Sequence, residues 1–276
     1  MSKRNIQVIG IDWQNDFCVA DDGHGNRGAL VVPHALEDAH NFAALILRRS
    51  DDIQDIHMTL DLHHRLDIAH PLFWKDKDGN HPGPFTMITE DDVANGVWRA
   101  FIPGLQGHAL HYVATLAKNS RYILIVWPEH CRIGHWGSNL VPEVWDAVSA
   151  WEDIPGQVNY VSKGTNFKTE HYSAVMADVP DPSDQSTQLN INLITTLQTA
   201  DEIWFTGQAK NFCVANTGRD IIANFGPDAI KKIVLVTNCM SNVLNQPGGP
   251  DIEALGEAFI NDMVAAGCRT ALSTDL

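Results

Sequence analysis

Basic residues are scarce in this chain. Lys and Arg total 19 against 34 Asp and Glu, a formal net charge of −15, which argues against a surface built for nucleic acid or anionic lipid. No apolar run reaches the about 20 residues that a membrane-spanning helix needs. The opening Met1-Ser2-Lys3-Arg4 passes straight into a strand-like segment with no signal-type apolar stretch. Cysteine is sparse as well. The five present, Cys18, Cys131, Cys213, Cys239 and Cys268, are odd in number and widely spaced, so a disulfide framework is not expected and a reducing, cytoplasmic setting is. Internal repeats and low-complexity tracts are missing too. The remainder is an acidic chain of 276 residues, 44% hydrophobic, long enough to bury a full core and suited to a small-molecule enzyme.

Short apolar runs recur at Ile6–Asp12, Ile56–Asp61, Tyr122–Trp127, Val158–Ser162, Glu202–Thr206, Ile233–Thr237 and Arg269–Ser273. Their hydrophobicity is continuous rather than alternating, which predicts strands buried on both faces, as in a parallel sheet. Helical patterns lie between them. From Pro33 to Arg49, Leu36, Ala39, Ala43, Ile46 and Leu47 share one face, and Pro33 suits a first turn. The alternation predicts an α/β fold: a doubly wound, mainly parallel β-sheet with helices on both faces. We expect a single domain over residues 1–276.

One stretch breaks the rhythm. From His64 to about Gln106 the chain is rich in His, Pro, Gly, Asp and Asn, with aromatic islands at Phe73-Trp74 and Val97-Trp98 and no clean period. A loop of that length is usually a lid, a contact surface or a solvated excursion. Its aromatics favour a roof over the pocket or an oligomer contact.

In an open α/β sheet, ligands gather at the carboxyl ends of the strands, so polar residues that terminate apolar strands point to the site. Asp12 closes Val8-Ile9-Gly10-Ile11, Asp61 closes His57-Met58-Thr59-Leu60, Lys163 follows Tyr160-Val161-Ser162, and His130 follows the run ending in Trp127. Cys213 comes after the Glu202–Thr206 strand and its glycine turn, at the start of a helix. There the free N–H groups and the positive dipole end favour a thiolate. The plainer reading of Cys213 is a buried structural cysteine.

Two groups can be drawn from this set. Asp12, Lys163 and Cys213 combine a carboxylate able to take a proton, a cation that favours the thiolate, and a nucleophile. Asp61, His63 and His130 combine a carboxylate with two imidazoles, a three-ligand site with open positions suited to Zn²⁺, Fe²⁺ or Mn²⁺. In a chain with 13 histidines, His64, His70, His81 and His135 compete for the same role.

The pieces Asp12-x-Gln14-x-Asp16-Phe17, Asp61-x-His63, Trp127-Pro128-Glu129-His130-Cys131, Lys163-Gly164 and Gly207-x-Ala209-x-x-x-Cys213-Val214 resemble the nicotinamidase branch of the isochorismatase-like cysteine hydrolases. They occur in that family's order over nearly the whole chain. The resemblance implies a metal-dependent amidohydrolase of NAD salvage that converts nicotinamide and water to nicotinate and ammonia through a Cys213 thioester. Asp12 would move the proton and Lys163 would hold the ion pair. The N–H groups of Ala209 and Cys213 would form the oxyanion site, after a cis Gln208–Ala209 bond. One divalent transition metal, zinc before iron or manganese, would sit on Asp61, His63 and His130, with Phe17, Trp127 and Phe212 around the ring. The expected partner is a small amide substrate, and the expected assembly a homo-oligomer.

Three departures from the family pattern stand out. His64 occupies the place usually held by proline, Asn211 stands where an acidic residue is common, and the interval from His63 to His130 is long. The alternatives are another small amide or ureido substrate within the superfamily, a mononuclear iron oxygenase, and a catalytically silent binding protein.

Overall fold

The computed structural model describes residues 4–119, 122–154, 156–247 and 249–276. Met1 to Lys3, with the start of the N-terminal segment considered above, lie outside them. Six parallel strands form the central sheet: β1 (Ile6–Ile11), β2 (Ile53–Asp61), β3 (Asn159–Lys163), β4 (Glu202–Gly207), β5 (Ile233–Val236) and β6 (Arg269–Ala271). Their order across the sheet is β6-β5-β4-β1-β2-β3. Chain order reverses between β1 and β4, which makes their carboxyl ends the crevice of a doubly wound fold. Every residue of β1 and β4 is buried, as strands covered by helices on both faces must be.

The helices are α1 (Ala35–Arg49), α2 (Gln106–Asn119), α3 (Pro142–Glu152), α4 (Ile191–Gln198), α5 (Ala215–Asn224) and α6 (Ala254–Ala266). Helix α1 packs on α3, and α5 on α6. Helix α1 starts two residues later than the sequence predicts, after His34 in a left-handed conformation. It buries Ala35, Ala39, Phe42, Ala43 and Ile46, but Leu36 and Leu47 of the predicted apolar face are exposed. Among the described residues no helix is long and apolar enough to cross a membrane.

Two expectations need correction. The run Tyr122–Trp127 is not a strand of the central sheet. Only Leu124–Ile125 is extended, and it pairs antiparallel with Met87–Ile88, so its apolar residues serve a different core. That core corrects the second expectation. Phe73 and Trp74 are not presented to a partner but packed with Ile68, Ile88, Val93, Tyr112, Leu116 and Leu124 in a separate hydrophobic cluster, with Trp98 partly buried against it. The irregular 64–106 stretch carries this satellite core with α2, stitched by the antiparallel pair Trp74–Lys75 and Arg99–Ala100. Trp74 also donates its indole N–H to the Ile68 carbonyl at 2.7 Å. A periodic pattern is missing there because the buried residues come from short elements of different kinds.

Candidate active site

Asp12 sits one residue past β1, fully buried, in a left-handed backbone conformation (φ 49°). That conformation turns the chain off the sheet at the crevice. The Thr59 hydroxyl of neighbouring β2 donates to Asp12 Oδ1 at 2.5 Å and accepts from the Asp12 N–H at 3.0 Å. Across the switch point, β4 approaches so closely that a Cβ on Gly207 would lie 2.2 Å from the Ile11 carbonyl oxygen. Only glycine fits, and its φ of 128° is one that glycine adopts freely. The cis Gln208–Ala209 bond implied by the resemblance follows. A π-helical turn over Lys210–Val214 then carries Cys213 into α5. The Ala209 carbonyl closes that turn by accepting the Phe212 and Val214 N–H groups.

Lys163, at the end of β3, crosses beneath these residues. Its Nζ lies 2.9 Å from Asp12 Oδ2, 2.9 Å from Asp61 Oδ1 and 3.6 Å from Cys213 Sγ. Burial opposes the charge on this amine, but Asp12 and Asp61 outweigh it and hold the ammonium well above the ordinary lysine range. Asp12 moves up, because burial wins over the attraction of Lys163. The Cys213 thiol is also pushed well up, by burial first, with Lys163 opposing and Asp12 and Asp61 adding. This corrects the thiolate expected from the helix start. In a site this dry, beside two carboxylates, desolvation outweighs a helix dipole. The thiol keeps its proton at rest, beside a carboxylate whose own basicity burial has increased.

The second group assembles from loops. Asp61 is fixed by Gln14, whose amide donates to the Asp61 carbonyl at 2.7 Å and accepts from its N–H at 2.8 Å. Asp61 Oδ2 lies 3.0 Å from His63 Nε2 and 3.3 Å from His130 Nε2. The outer ring nitrogens are held as well, His63 Nδ1 by Asp67 at 3.0 Å and His130 Nδ1 by the Pro128 carbonyl at 2.8 Å. Asp16, from the first motif, anchors the Cys131 N–H at 2.6 Å and so places His130.

The structure adds one residue to the predicted trio. His70 is fully buried, and ligand atoms of His63, His70 and His130 lie within 4.8 Å of one another. Burial, with His63 and His130 beside it, pushes His70 well below the ordinary imidazole range. It is therefore a neutral ring with a lone pair to offer. Of the other competing histidines, His64 is exposed, His81 is taken by the Trp74 carbonyl and His135 by the Gly137 N–H. Asp67 escaped sequence reasoning, although a carboxylate four residues after His63 was the available signal.

Between the two groups lies a narrow recess of about 20 Å³, room for one water molecule. Phe17, Trp127 and Phe212 all line it, joined by Tyr172, Leu30 and Val243. Trp127 and Phe212 meet edge to face at 4.9 Å, and the Trp127 indole N–H donates to the Tyr172 hydroxyl at 2.6 Å. No residue of 64–106 contributes to this wall. The open groove of about 740 Å³ along β3 holds no cysteine.

Comparison with known proteins places this arrangement in company. No protein-family model matches the chain. A nicotinamidase of Saccharomyces cerevisiae is 26% identical over 210 residues, 76% of this chain and 78% of the yeast protein. The crystal structure of the yeast nicotinamidase bound to the inhibitor nicotinaldehyde superposes with a TM-score of 0.64 at 20% identity, covering 97% of this chain and 99% of that one. An Acinetobacter baumanii nicotinamidase/pyrazinamidase gives 0.62 at 20% identity, covering 100% and 99%. A Pyrococcus horikoshii pyrazinamidase in complex with zinc gives 0.56 at 17%, covering 97% and 99%. The likeness seen in separate motifs thus extends to the fold of the whole chain.

Proposed function

We propose that this chain is a nicotinamidase, a cysteine amidohydrolase that converts nicotinamide and water to nicotinate and ammonia. The observation that carries the reading is the Lys163 ammonium, bound to Asp12 and Asp61 and touching Cys213 Sγ, at the base of an aromatic recess. The yeast relative's named activity and the inhibitor-bound structure support it.

In this reading Cys213 Sγ attacks the amide carbonyl carbon and its proton passes to Asp12. The raised basicity of Asp12 suits that transfer. The N–H groups of Ala209 and Cys213 hold the oxyanion. Its collapse breaks the C–N bond, and Asp12 returns the proton to the departing ammonia, leaving a thioester. Water, deprotonated by Asp12, then attacks the thioester carbonyl and frees the thiol and nicotinate. Lys163 keeps Asp12 charged at the start of each half.

His63, His70, His130 and Asp61 fit a divalent metal. Their inner atoms converge, while the outer nitrogens of His63 and His130 have their own partners. Bound there, the ion would offer a Lewis-acid contact to the pyridine nitrogen and so orient the ring. Nitrogen and oxygen donors suit zinc, and also iron or manganese. All five cysteines are free and buried, which suits a reducing cytoplasm.

The test is ammonia release from nicotinamide by the purified, metal-replete protein, with and without chelator. We expect turnover that chelator suppresses and metal restores. No ammonia from the metal-replete protein would sink the assignment.

A further inference from the structure

We propose that Asn211 is the residue that seats the pocket's outer wall, the loop from Val243 to Ile252, against the turn carrying Cys213. The inference rests on the amidohydrolase reading for its kinetic consequence and on hydrogen bonds alone for its structural one. Asn211 is buried. Its amide nitrogen donates to the Val243 carbonyl at 3.0 Å and to the Ile252 carbonyl at 2.9 Å, and its oxygen accepts the Val243 N–H at 3.0 Å. One side chain therefore holds both ends of the loop.

The rest of the seam is weaker or lies further back. The Ser241 N–H reaches Gln208 at 3.2 Å and the Ser241 carbonyl takes the Lys210 N–H at 2.7 Å, so the strap is anchored before the loop begins. Asn245 closes the loop on itself by accepting the Ile252 and Glu253 N–H groups, but touches nothing of the catalytic turn. Leu244 is exposed and Val243 lines the recess. A recess of about 20 Å³ is too small for a planar aromatic amide, so binding requires a wall to move. Phe17 and Trp127 are packed in the main core, whereas Val243 sits at the start of a loop whose tie to the nucleophile's turn is this one amide.

Two donors and one acceptor are used in this arrangement, and only an amide supplies them. A carboxylate of the same shape would face two carbonyl oxygens with no proton to share. Asn211→Asp should therefore release the loop while keeping the packing volume.

The experiment compares the full-length parent with Asn211→Asp, Val243→Ala and the double variant, all metal-replete. The latch predicts at least about tenfold faster proteolytic cleavage near Leu244 in Asn211→Asp, the scale of a lost buried hydrogen-bond pair. It also predicts a KM for nicotinamide raised about tenfold with kcat nearly unchanged. In the double variant KM should rise little above that of Val243→Ala, because Asn211 acts through Val243. Parental resistance to cleavage overturns the latch, and faster cleavage with a parental KM overturns the wall. Equal, additive effects of the two substitutions also overturn it. If nicotinamide is not a substrate of the parent, the functional reading fails while cleavage still judges the latch. Should Asn211→Asp not fold, hydrogen exchange of the parent decides: the Val243 amide must exchange more slowly than that of Leu244.

Discussion

Asp12, Lys163 and the Cys213 turn hang from the ends of three parallel strands, whereas His63, His70 and His130 hang from loops that lean on a satellite core. The first corner inherits its geometry from strand register: β1 is paired to β4 and β2, and β2 to β3, in unbroken parallel ladders near their carboxyl ends. The second depends on single side chains that pin loops, namely Gln14 on Asp61, Asp67 on His63 and Asp16 on Cys131. The thiol corner should therefore be robust in shape and sensitive in chemistry, and the histidine cluster the reverse.

The largest effect expected is from Cys213→Ala, which should lower turnover by about four orders of magnitude or more and leave the fold intact. An inactive Cys131→Ala beside an active Cys213→Ala would reverse the assignment. Asp12→Asn should cost about 10²- to 10⁴-fold in kcat, the range of positioned proton transfer, and near-parental kcat would remove Asp12 from the mechanism. Lys163→Ala should reduce activity as strongly and also destabilise the protein by about 3–5 kcal/mol, because two buried carboxylates lose their cation. A parental Tm there would mean that the carboxylates are not held as charges.

Trp74→Ala probes the other region. It empties a fully buried position of the satellite core and should cost about 3–5 kcal/mol. If the two regions are built independently, metal retention should fall while Cys213 keeps its reactivity toward an alkylating reagent. Parallel loss of both would erase the distinction drawn here. Asp67→Ala should weaken metal binding about 10- to 100-fold, and Asp67→Asn should restore most of it, since an amide oxygen still accepts from His63 Nδ1. Metal content after dialysis reads this directly, and parental retention in Asp67→Ala would count against Asp67 as an orienting group.

The smallest effect concerns pH. His57 on β2 is held below its ordinary range by burial, with Asp55 opposing. The unfolded chain therefore binds this proton first, and stability is lost as pH falls below about 6.5. His57→Gln, which can still pair with Gln7 and Asn159, should flatten that part of the Tm profile. An unchanged slope would show that His57 is protonated in the fold.

The legibility of the two regions differs for a physical reason. Six of the seven predicted strands belong to the central sheet, because a strand buried on both faces must be continuously apolar whatever its neighbours. A polar residue at the end of such a strand is conspicuous, and so Asp12, Asp61, Lys163 and Cys213 could be read from their positions. The same rule misplaced Tyr122–Trp127, whose apolar residues are buried in the satellite core rather than the sheet. His70 and Asp67 carried no such mark. They lie in a stretch without periodicity, and a histidine there looks like any of the 13. Their approach to His63 and His130 comes only from how the loops close.

What the amino-acid sequence determined by itself was therefore the parallel sheet, the strand-end chemistry and the order of the motifs, all local consequences of residue type and spacing. Tertiary structure alone decided the protonation of the thiol, the fourth donor beside the metal trio and the pinning of the 243–252 loop by Asn211. Each of these depends on desolvation or on contacts between segments far apart in the chain, and neither burial nor distance is written in local order.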